Sequence, residues 1–376
     1  MLNRAILLEQ LQARSNDLFL DISKEFEIAR QSWQRIIDDP AFLYKIRQIS
    51  TPWLVPDWQD PLGQVTVIDP SLPHYAVLAV DGSQVYPDRH QGTSCFLVNI
   101  GSVILHYGNQ MPKPVQFSST PTVFTGDDTD DELSGGQDWV NCRRQELELQ
   151  TGLAKSIELK TQMGDTPFAF LFDGSLIFWH LESKENNLKE LFLNKYLSLL
   201  DQLYKNNILC AGYISLPKSK ELVNLIRVEL CKFKLEGCKE LEAVNHLVDA
   251  SIARFFLQSQ SRSIVFKSNA KIGASYAPHL VPHFFYIDVG AEIARIEIPA
   301  WIAQDEQKIT TVAQIILNQS IKGMGYPVAL AESHEQAVVK GPDREFFYHL
   351  ITKLGIERKR NLSSSQKSMK KRGMGI

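Results

Sequence analysis

The sequence predicts an α/β protein in which a mixed sheet is flanked by helices and preceded by an N-terminal helical extension. Short, continuous apolar runs such as 75–80 and 167–172 are typical of strands that are buried on both faces. These runs alternate with longer segments of helical periodicity, which is the pattern of α/β folds. The chain has 376 residues, of which 44% are hydrophobic and 22% charged, so it can bury a sizeable core.

The composition excludes several classes of protein. No apolar run approaches the ~20 residues that a membrane-spanning helix needs, and Glu9 interrupts the start too early for a signal-peptide core. We therefore expect a soluble, cytoplasmic protein. The five cysteines include no C-x-x-C pair, so we expect thiols in a reducing compartment rather than a zinc site or a disulfide scaffold.

Residues 1–50 are predicted to be an N-terminal helical segment, with one long helix over 2–37. Asp39-Pro40 ends this helix, because the residue before proline avoids helical geometry. The predicted apolar stripe consists of Leu11, Leu18, Ile22, Ala29, Trp33 and Ile36. That stripe needs a partner surface, either the protein's own core, which we favour, or a second subunit. Residues 51–74 hold five prolines and are predicted to be a connector.

The remaining elements are predicted in chain order from their hydrophobic periods. Strands are predicted at 75–80, 94–100, 102–107, 167–172, 208–214, 262–267, 283–289 and 292–298. Helices are predicted at 139–159, 187–206, 219–231, 239–258, 306–321 and 342–354. The acidic stretch 126–138 lacks the ligand pattern of a calcium loop, so we expect a solvated loop there.

The last residues, 356–376, are predicted to form a basic, disordered tail. From residue 353 onward the chain has eight Lys and Arg residues and one acid, although the whole chain has a net charge of −3. A basic tail beside an acidic body can hold polyanions loosely. It can equally be a solvated terminus with no partner, and the sequence leaves both readings open.

The tripeptide Asp-Gly-Ser follows two of the predicted buried strands, with its aspartates at Asp81 and Asp173. Sites in α/β sheets lie beyond the carboxyl ends of strands, and a glycine turn would aim each carboxylate over that edge. If the two strands are neighbours, the carboxylates reach one point, where they repel unless they share a proton or a divalent cation. The alternative is that Asp-Gly is simply a frequent turn pair.

A third acid is predicted from helical spacing. The apolar residues of 139–159 gather on one face, with Glu146 near its middle and Glu148 on the opposite side. We therefore expect Glu148 to face solvent and Glu146 to point inward, where it needs a partner. That partner is either Arg143 or Arg144 in a structural ion pair, or a metal shared with the two aspartates.

The segment 325–335 contains Tyr326 and His334. A histidine in such a segment is often structural, and Ser333 could cap a helix that begins there. Neutral imidazole is also a common ligand of transition metals, and sites of carboxylates plus histidine accept Mn²⁺. The segment alone does not decide between these roles.

Taken in order, these motifs resemble the NurA nuclease family. They are Ala-Val-Asp-Gly-Ser at 79–83, a glutamate after Arg143-Arg144, Phe-Asp-Gly-Ser-Leu at 172–176, Arg-Ile-Glu-Ile-Pro at 295–299, and Gly-Tyr-Pro at 325–327 with His334 eight residues after the tyrosine. The resemblance covers about residues 74–355. It implies that residues 75–355 form a nuclease domain with a ribonuclease-H-like core.

The resemblance also implies an activity and its partners. Family members are nucleases that depend on Mn²⁺, or Mg²⁺, with one or two ions in the site. They degrade single- and double-stranded DNA with 5′→3′ polarity and cut single strands internally. They work as homodimers docked on the hexameric ATPase HerA, in resection of double-strand breaks.

Carried over to this sequence, the resemblance makes Asp81, Glu146, Asp173 and His334 metal ligands and places Tyr326 beside them. Glu146 is preferred to Glu148 because of its predicted facing. The bound ion would activate a water molecule for attack on the phosphodiester. Basic side chains near the motifs must offset the acidic pocket if DNA is to enter. The candidates are Arg89, Lys267, Lys271, Lys322 and Lys340.

Two other functions stay open at this point. A non-catalytic adaptor of a DNA-translocating ATPase could bind DNA ends with the N-terminal stripe and the basic tail, but it would have no need to gather three acids. A hydrolase of small phosphoesters would use the same acids as a nuclease.

Overall fold

The computed structural model describes residues 2–15, 21–87, 95–108, 115–125 and 136–358. Within these residues a single sheet of eleven strands forms the centre of the protein. The strands are β1 (Asp57–Trp58), β2 (Val65–Val67), β3 (Tyr75–Val85), β4 (Phe96–Tyr107), β5 (Val115–Phe124), β6 (Phe168–Asp173), β7 (Leu209–Ile214), β8 (Ser261–Ser263), β9 (Phe266–Lys267), β10 (Pro282–Asp288) and β11 (Ile293–Pro299). Leu18, Arg89, most of the acidic stretch 126–138 and the tail from 359 onward lie outside the described residues.

The sheet is mixed, with the order β1-β9-β10-β11-β7-β6-β3-β4-β5, and the short strands β2 and β8 are attached beside β10. β6 is parallel to both of its neighbours, β3 and β7. The strands outside this parallel centre pair antiparallel, including β4 with β3 and β11 with β7. The predicted fold class, a mixed sheet flanked by helices, is therefore confirmed.

Eleven helices accompany the sheet in the described part of the chain. They are α1 (Arg4–Ala13), α2 (Ser23–Asp38), α3 (Phe42–Arg47), α4 (Gln137–Met163), α5 (Asn186–Lys205), α6 (Glu221–Leu230), α7 (Asp249–Ala253), α8 (Ala300–Ala303), α9 (Glu306–Lys322), α10 (Val328–Ala337) and α11 (Gly341–Glu357). Short 3₁₀ turns occur at Trp179–Leu181, Glu240–Val244, Lys271–Ser275 and Pro278–Leu280.

The two largest apolar cores lie against the sheet, and β10 contributes to both of them. Phe285 and Ile287 belong to the core that contains β3, β6, α4, α5 and α9. Phe284 and Tyr286 belong to the core that contains α2, α3 and α6. Because successive side chains of a strand point to opposite faces, the two cores lie on opposite sides of the sheet at this strand.

The helix is interrupted within the described residues of 2–37, so the prediction of a continuous helix over this range is wrong. Residues 21 and 22 are not helical, and α1 buries none of its side chains. The stripe of α2, including Ala29, Trp33 and Ile36, is buried in the protein's own core, which is the partner that we favour. The helix ends at Asp38, directly before Asp39-Pro40, as predicted.

Several other boundaries differ from the prediction. The two strands predicted around Gly101 are one strand, β4, and the helix predicted at 239–258 is only a 3₁₀ turn and the short α7. Neither β5 nor α10 is predicted as an element. Most residues of β5 are exposed, and its sequence shows no clear alternation of apolar and polar residues. α10 follows Tyr326-Pro327 directly and is too short to show a clear helical period of apolar residues.

The expectation for the cysteines is wrong in one respect. Cys231 and Cys238 form a disulfide with a Cα–Cα distance of 5.9 Å, across a loop that follows α6 and matches no familiar cysteine spacing. Cys142 and Cys210 are buried thiols, as expected. No described helix is long and apolar enough to cross a bilayer.

Candidate metal centre

The parallel pairing of β3 and β6 brings the two Asp-Gly-Ser tripeptides together at the carboxyl end of β6. The strands are parallel neighbours, and the last pair in their register is Val80 with Phe172. Asp81 and Asp173 each follow that pair directly, so they lie side by side at this edge of the sheet. The condition that the two strands are neighbours is therefore met.

The two tripeptides have different backbones. β3 continues through Asp81-Gly82-Ser83 to Val85, paired with β4, so the predicted turn after the first tripeptide is wrong. At the second tripeptide Gly174 has a φ of 138°, a conformation that glycine adopts without steric cost. The chain turns there, and the Gly174 N–H donates to the carbonyl oxygen of Tyr213 at 3.0 Å.

The buried carboxylate of Glu297 supports the turn after Asp173. Its Oε2 accepts hydrogen bonds from the Ser175 hydroxyl at 2.7 Å and from the Leu176 N–H at 2.9 Å. Its Oε1 accepts from Nε of Arg295 at 2.8 Å, and only 1% of the Glu297 side chain is exposed. The Arg-Ile-Glu-Ile-Pro motif thus fixes the turn that carries Asp173.

The third acid at this edge is Glu148 rather than Glu146, so the expectation that Glu148 faces solvent is wrong. Glu146 is buried, as predicted, but on another side of the helix. Glu148 lines one cleft together with Asp81 and Asp173. A Cβ atom added to Gly82 would lie 2.6 Å from Oε1 of Glu148, which shows how closely this carboxylate approaches β3.

Glu146 makes an ion pair away from the cleft. Its Oε2 lies 2.6 Å from Nη1 of Arg143 and 3.4 Å from Nζ of Lys195 on α5. The structural pairing that the sequence left open is therefore the one observed. The physical reason is that α4 packs against both α5 and β3, so it is buried on two sides. Glu146 and Glu148 are about 200° apart around the helix, and only Glu148 points to the sheet edge.

The surroundings of Glu148 disfavour the ionised form of its carboxyl group. Its side chain is 18% exposed, and Oε1 is buried without a hydrogen-bond partner among the described residues. Arg144 lies nearby, with Nε 3.4 Å from Oε1. The pKa of Glu148 is raised to about 8, mainly by burial and also by the charges of Asp81 and Asp173, while Arg144 opposes the shift. Burial likewise raises the pKa of Asp173.

Tyr326 and His334 contact the two aspartates, as the sequence predicts that they line one site. The Tyr326 hydroxyl hydrogen-bonds to Asp173, and its ring packs edge-on against Tyr213 with the centroids 5.3 Å apart. Nδ1 of His334 lies 2.8 Å from Oδ2 of Asp81, and the imidazole is 60% exposed. His334 therefore reaches the cleft from α10 while its ring remains accessible to a substrate.

The first tripeptide also anchors α10. The Ser83 hydroxyl donates to the carbonyl oxygen of Ala337 at 2.5 Å, and Nδ2 of Asn99 donates to the same oxygen at 2.8 Å. The helix lies so close to β4 that a Cβ atom on Gly101 would fall 2.6 Å from the backbone carbon of Gln336. Gly101 is therefore required for the approach of the helix that carries His334.

We expect Gly101→Ala to move α10 and to weaken the site. The added methyl group meets backbone atoms, so relief requires a shift of the helix at a cost of about 1–3 kcal/mol of folding free energy. Thermal unfolding measures this loss, and activity should fall with it. Gly273→Ala is the matched control, because a Cβ atom there has no neighbour within 4 Å. Equal stability of the two variants would contradict the prediction.

The acids and His334 line an open cleft of about 740 Å³. Its positive side chains are Arg144 and Lys184, and His180 also faces it. None of these three residues was predicted to belong to the site. Arg144 could have been found from its position four residues before Glu148, whereas nothing in the sequence marks Lys184 or His180.

None of the described lysines predicted to bind DNA lines this cleft. Lys322 lies over the ring of Tyr107 at 5.1 Å, beside the amino end of β3, and Asp81 is about 20 Å further along that strand. Lys267 is on β9, near the far edge of the sheet. These lysines are close to the motifs in sequence. They lie far from the acids in space, because a strand carries the chain away from the cleft along its length. The other members of the set are Lys271 and Lys340, which do not line the cleft, and Arg89, which is outside the described residues.

The donor set of the cleft fits a hard divalent cation. Three carboxylates converge, and Oε1 of Glu148 has an unused acceptor position; oxygen ligands of this kind suit Mg²⁺ and Mn²⁺. No three His, Cys, Asp or Glu side chains of the described residues already form a ready-made metal cluster. Binding of one ion by all three carboxylates would therefore require them to move closer together, and the positive charge of the ion would offset their mutual repulsion.

No curated protein matches the sequence. A crystal structure of NurA with manganese aligns with 94% of this chain and 99% of its own, with 12% identity and a TM-score of 0.41. A crystal structure of NurA aligns with 94% and 98%, with 10% identity and a TM-score of 0.40. A crystal structure of NurA bound to dAMP and manganese aligns with 88% and 94%, with 13% identity and a TM-score of 0.32.

The identities of 10–13% and the TM-scores below 0.5 do not establish the family; the match of the sequence to a family does. Residues 75–339 match the NurA domain. This range is well over half of the chain, and it contains Asp81, Glu148, Asp173, Tyr326 and His334. The chain therefore belongs to the NurA family.

Proposed function

We propose that this protein is a metal-dependent deoxyribonuclease whose metal ligands are Asp81, Glu148 and Asp173. The observation that carries the proposal is the convergence of these three carboxylates in one cleft, with the pKa of Glu148 raised to about 8. Such an arrangement costs folding free energy unless a cation or a proton compensates it. Membership of the NurA family supports nucleic acid as the substrate.

We further propose Mn²⁺ as the preferred ion, as in the NurA structures with manganese, with Mg²⁺ as a substitute and one or two ions bound. A bound ion would lower the pKa of a water molecule and neutralise charge that develops on the phosphate. Asp81, Glu148 and Asp173 would hold that ion through their carboxylates. His334, hydrogen-bonded to Asp81, and Tyr326, hydrogen-bonded to Asp173, fix the positions of the two aspartates.

The cations of the cleft have a separate role in this proposal. Arg144 donates to the carbonyl oxygen of Gly82 at 2.9 Å, which holds its guanidinium at the rim of the acidic site. Lys184 pairs with Asp138 at 2.7 Å, and 22% of its side chain is exposed. Both side chains are placed to receive phosphate oxygens. Because phosphate contacts carry no base information, little sequence specificity is expected.

The finer activities come from the family resemblance and are proposed on that ground. They are 5′→3′ degradation of single- and double-stranded DNA, internal cutting of single strands, action as a homodimer with a HerA-type ATPase, and a role in resection during double-strand-break repair. The ribonuclease-H-like description of the core, the domain boundary at 355 and a cytoplasmic location also stay predictions. A non-catalytic adaptor is disfavoured, because it has no need for three carboxylates that strain the fold.

The test uses purified protein and linear DNA labelled at either the 5′ or the 3′ end. We expect degradation of both single and double strands with Mn²⁺, weaker degradation with Mg²⁺ and none with a chelator. Early release of the 5′ label would support the proposed polarity, and early release of the 3′ label would overturn it. Absence of cleavage under every metal condition would overturn the nuclease assignment itself.

Metal binding has a second readout that needs no DNA. Mn²⁺ at 100 times its dissociation constant should stabilise the native state by about 2.7 kcal/mol, which appears as a rise in the unfolding temperature. Asp81→Asn should abolish most of that rise. The same rise in wild type and variant would place the ion elsewhere.

A further inference from the structure

A second cleft, of about 490 Å³, lies on the other side of the turn that follows Asp173. Gly174 and Ser175 line this cleft and also line the acid site together with Asp81 and Glu148. The following 3₁₀ turn also lies between the two clefts, because Trp179 faces the second cleft and its neighbour His180 faces the first. One short segment of chain therefore separates the two clefts.

The accessible surface of the second cleft is largely apolar, although polar and charged side chains also line it. Leu54, Ile214 and Pro217 line it together with Trp179, whose side chain is 38% exposed. Its volume lies within the range of about 300–1,000 Å³ found for small-molecule sites. A flat, apolar group of the size of a nucleobase fits such walls, and an accessible indole offers a stacking surface.

One polar atom in this wall has no partner. The Glu221 side chain is only 4% exposed; its Oε2 accepts a hydrogen bond from Arg295, but its Oε1 is buried and unpartnered among the described residues. Arg295 is fixed in turn by Glu297 and by stacking over Phe284 at 3.6 Å. A rigid, unpartnered acceptor is costly, and an N–H donor entering the cleft would satisfy it.

The backbone N–H groups at the amino end of α6 are not available to bind an anion in this cleft. Asp249 accepts hydrogen bonds from the N–H groups of Glu221, Leu222 and Val223, at 2.8, 2.8 and 3.0 Å. The amino end of α6 is thus already occupied by a carboxylate. The ligand that the cleft fits is a flat group with an amino donor, rather than a phosphate.

We propose that the second cleft holds one base of a DNA single strand, stacked on Trp179 and donating an exocyclic amino group to Glu221. The inference rests on the proposed function, because it places the bound base beside the nucleotide whose phosphate enters the acid site. Lys218 is exposed at the rim, where it can meet the adjoining phosphate. The cleft would thereby favour unpaired bases, and it would fix the register of the strand at the acids.

The test measures DNA binding in the presence of a chelator, so that no cleavage occurs. Single-stranded oligonucleotides carry 2-aminopurine at one position each, and both its fluorescence and the overall affinity are recorded. We expect the fluorescence to change strongly at one position only. Trp179→Ala should remove that change and weaken binding about tenfold. Tyr204→Ala is the matched control, because Tyr204 is 41% exposed and lies outside both clefts.

Two outcomes would overturn the proposal: a fluorescence change spread evenly over all positions, or wild-type binding and fluorescence in Trp179→Ala. Trp179 is at the surface, so the variant should fold, and circular dichroism checks this. Replacement of the responsive base by an abasic site should weaken wild-type binding but leave binding by Trp179→Ala unchanged. The two proposals can also fail separately. A fluorescence change at one position, in a protein that cleaves no DNA under any metal condition, would support the base site and overturn the nuclease assignment.

Discussion

Asp173→Asn is expected to abolish metal-dependent cleavage of linear DNA while the protein stays folded, and Asp81→Asn should do the same. Each substitution removes one of three carboxylate ligands but preserves the size of the side chain. A bound metal supplies several kcal/mol of transition-state stabilisation, so its loss corresponds to about 10³-fold in rate at ~1.4 kcal/mol per factor of ten. Rates of release of a labelled end, measured with Mn²⁺, give the effect.

Stability separates this result from simple unfolding. The pKa of Asp173 is raised, mainly by burial, so the ionised carboxylate is unfavourable in the folded, metal-free protein. Removal of its charge should therefore leave the unfolding temperature unchanged or raise it slightly at neutral pH. Asp165→Asn is the control, since Asp165 is an exposed residue just before β6. Full activity of either site variant would refute the role of the acids.

The convergence of the two aspartates was predictable because it depends on local signals. The runs 75–80 and 167–172 are continuous and apolar, and burial on both faces identifies them as central strands of a sheet. Central strands that end in the same tripeptide place it at the same edge when they are parallel. The continuation of β3 beyond Asp81 was not predictable, because it depends on pairing with β4, which is distant in sequence.

The third acid was not predictable from one helix alone. A hydrophobic face identifies the buried side of a helix with one neighbour, but α4 has two, the sheet and α5. Glu146 points towards α5, and Glu148 points towards β3. Only the tertiary contacts tell which side holds the cleft. The positions of Arg144 and Lys184 at the cleft depend on the same contacts, whereas proximity in sequence pointed to Lys267 and Lys322, which lie away from the cleft.

Glu148→Gln and Glu146→Gln are expected to have opposite effects, and this contrast is the sharpest test of the corrected site. Glu148→Gln removes a proposed metal ligand, so DNA cleavage with Mn²⁺ should fall by about 10²-fold or more. Glu146→Gln leaves the cleft intact, so cleavage should stay near the wild-type rate. It breaks the pairing with Arg143 and Lys195, which are 24% and 39% exposed, at a cost of about 1–3 kcal/mol.

The pH dependence of stability supplies the second half of the contrast. In the metal-free protein the pKa of Glu148 is about 8, against an ordinary value of 4.5. The unfolded chain therefore loses this proton at lower pH than the folded chain, and the wild type loses stability as the pH rises from about 4.5 to 8. Glutamine resembles the protonated acid, so Glu148→Gln should unfold at a higher temperature than wild type at pH 8. Thermal unfolding with a chelator, at pH 5 and at pH 8, measures the difference. A Glu148→Gln protein that is less stable than wild type at pH 8, or that cuts DNA at the wild-type rate, would contradict the assignment of Glu148 as the third ligand and favour Glu146.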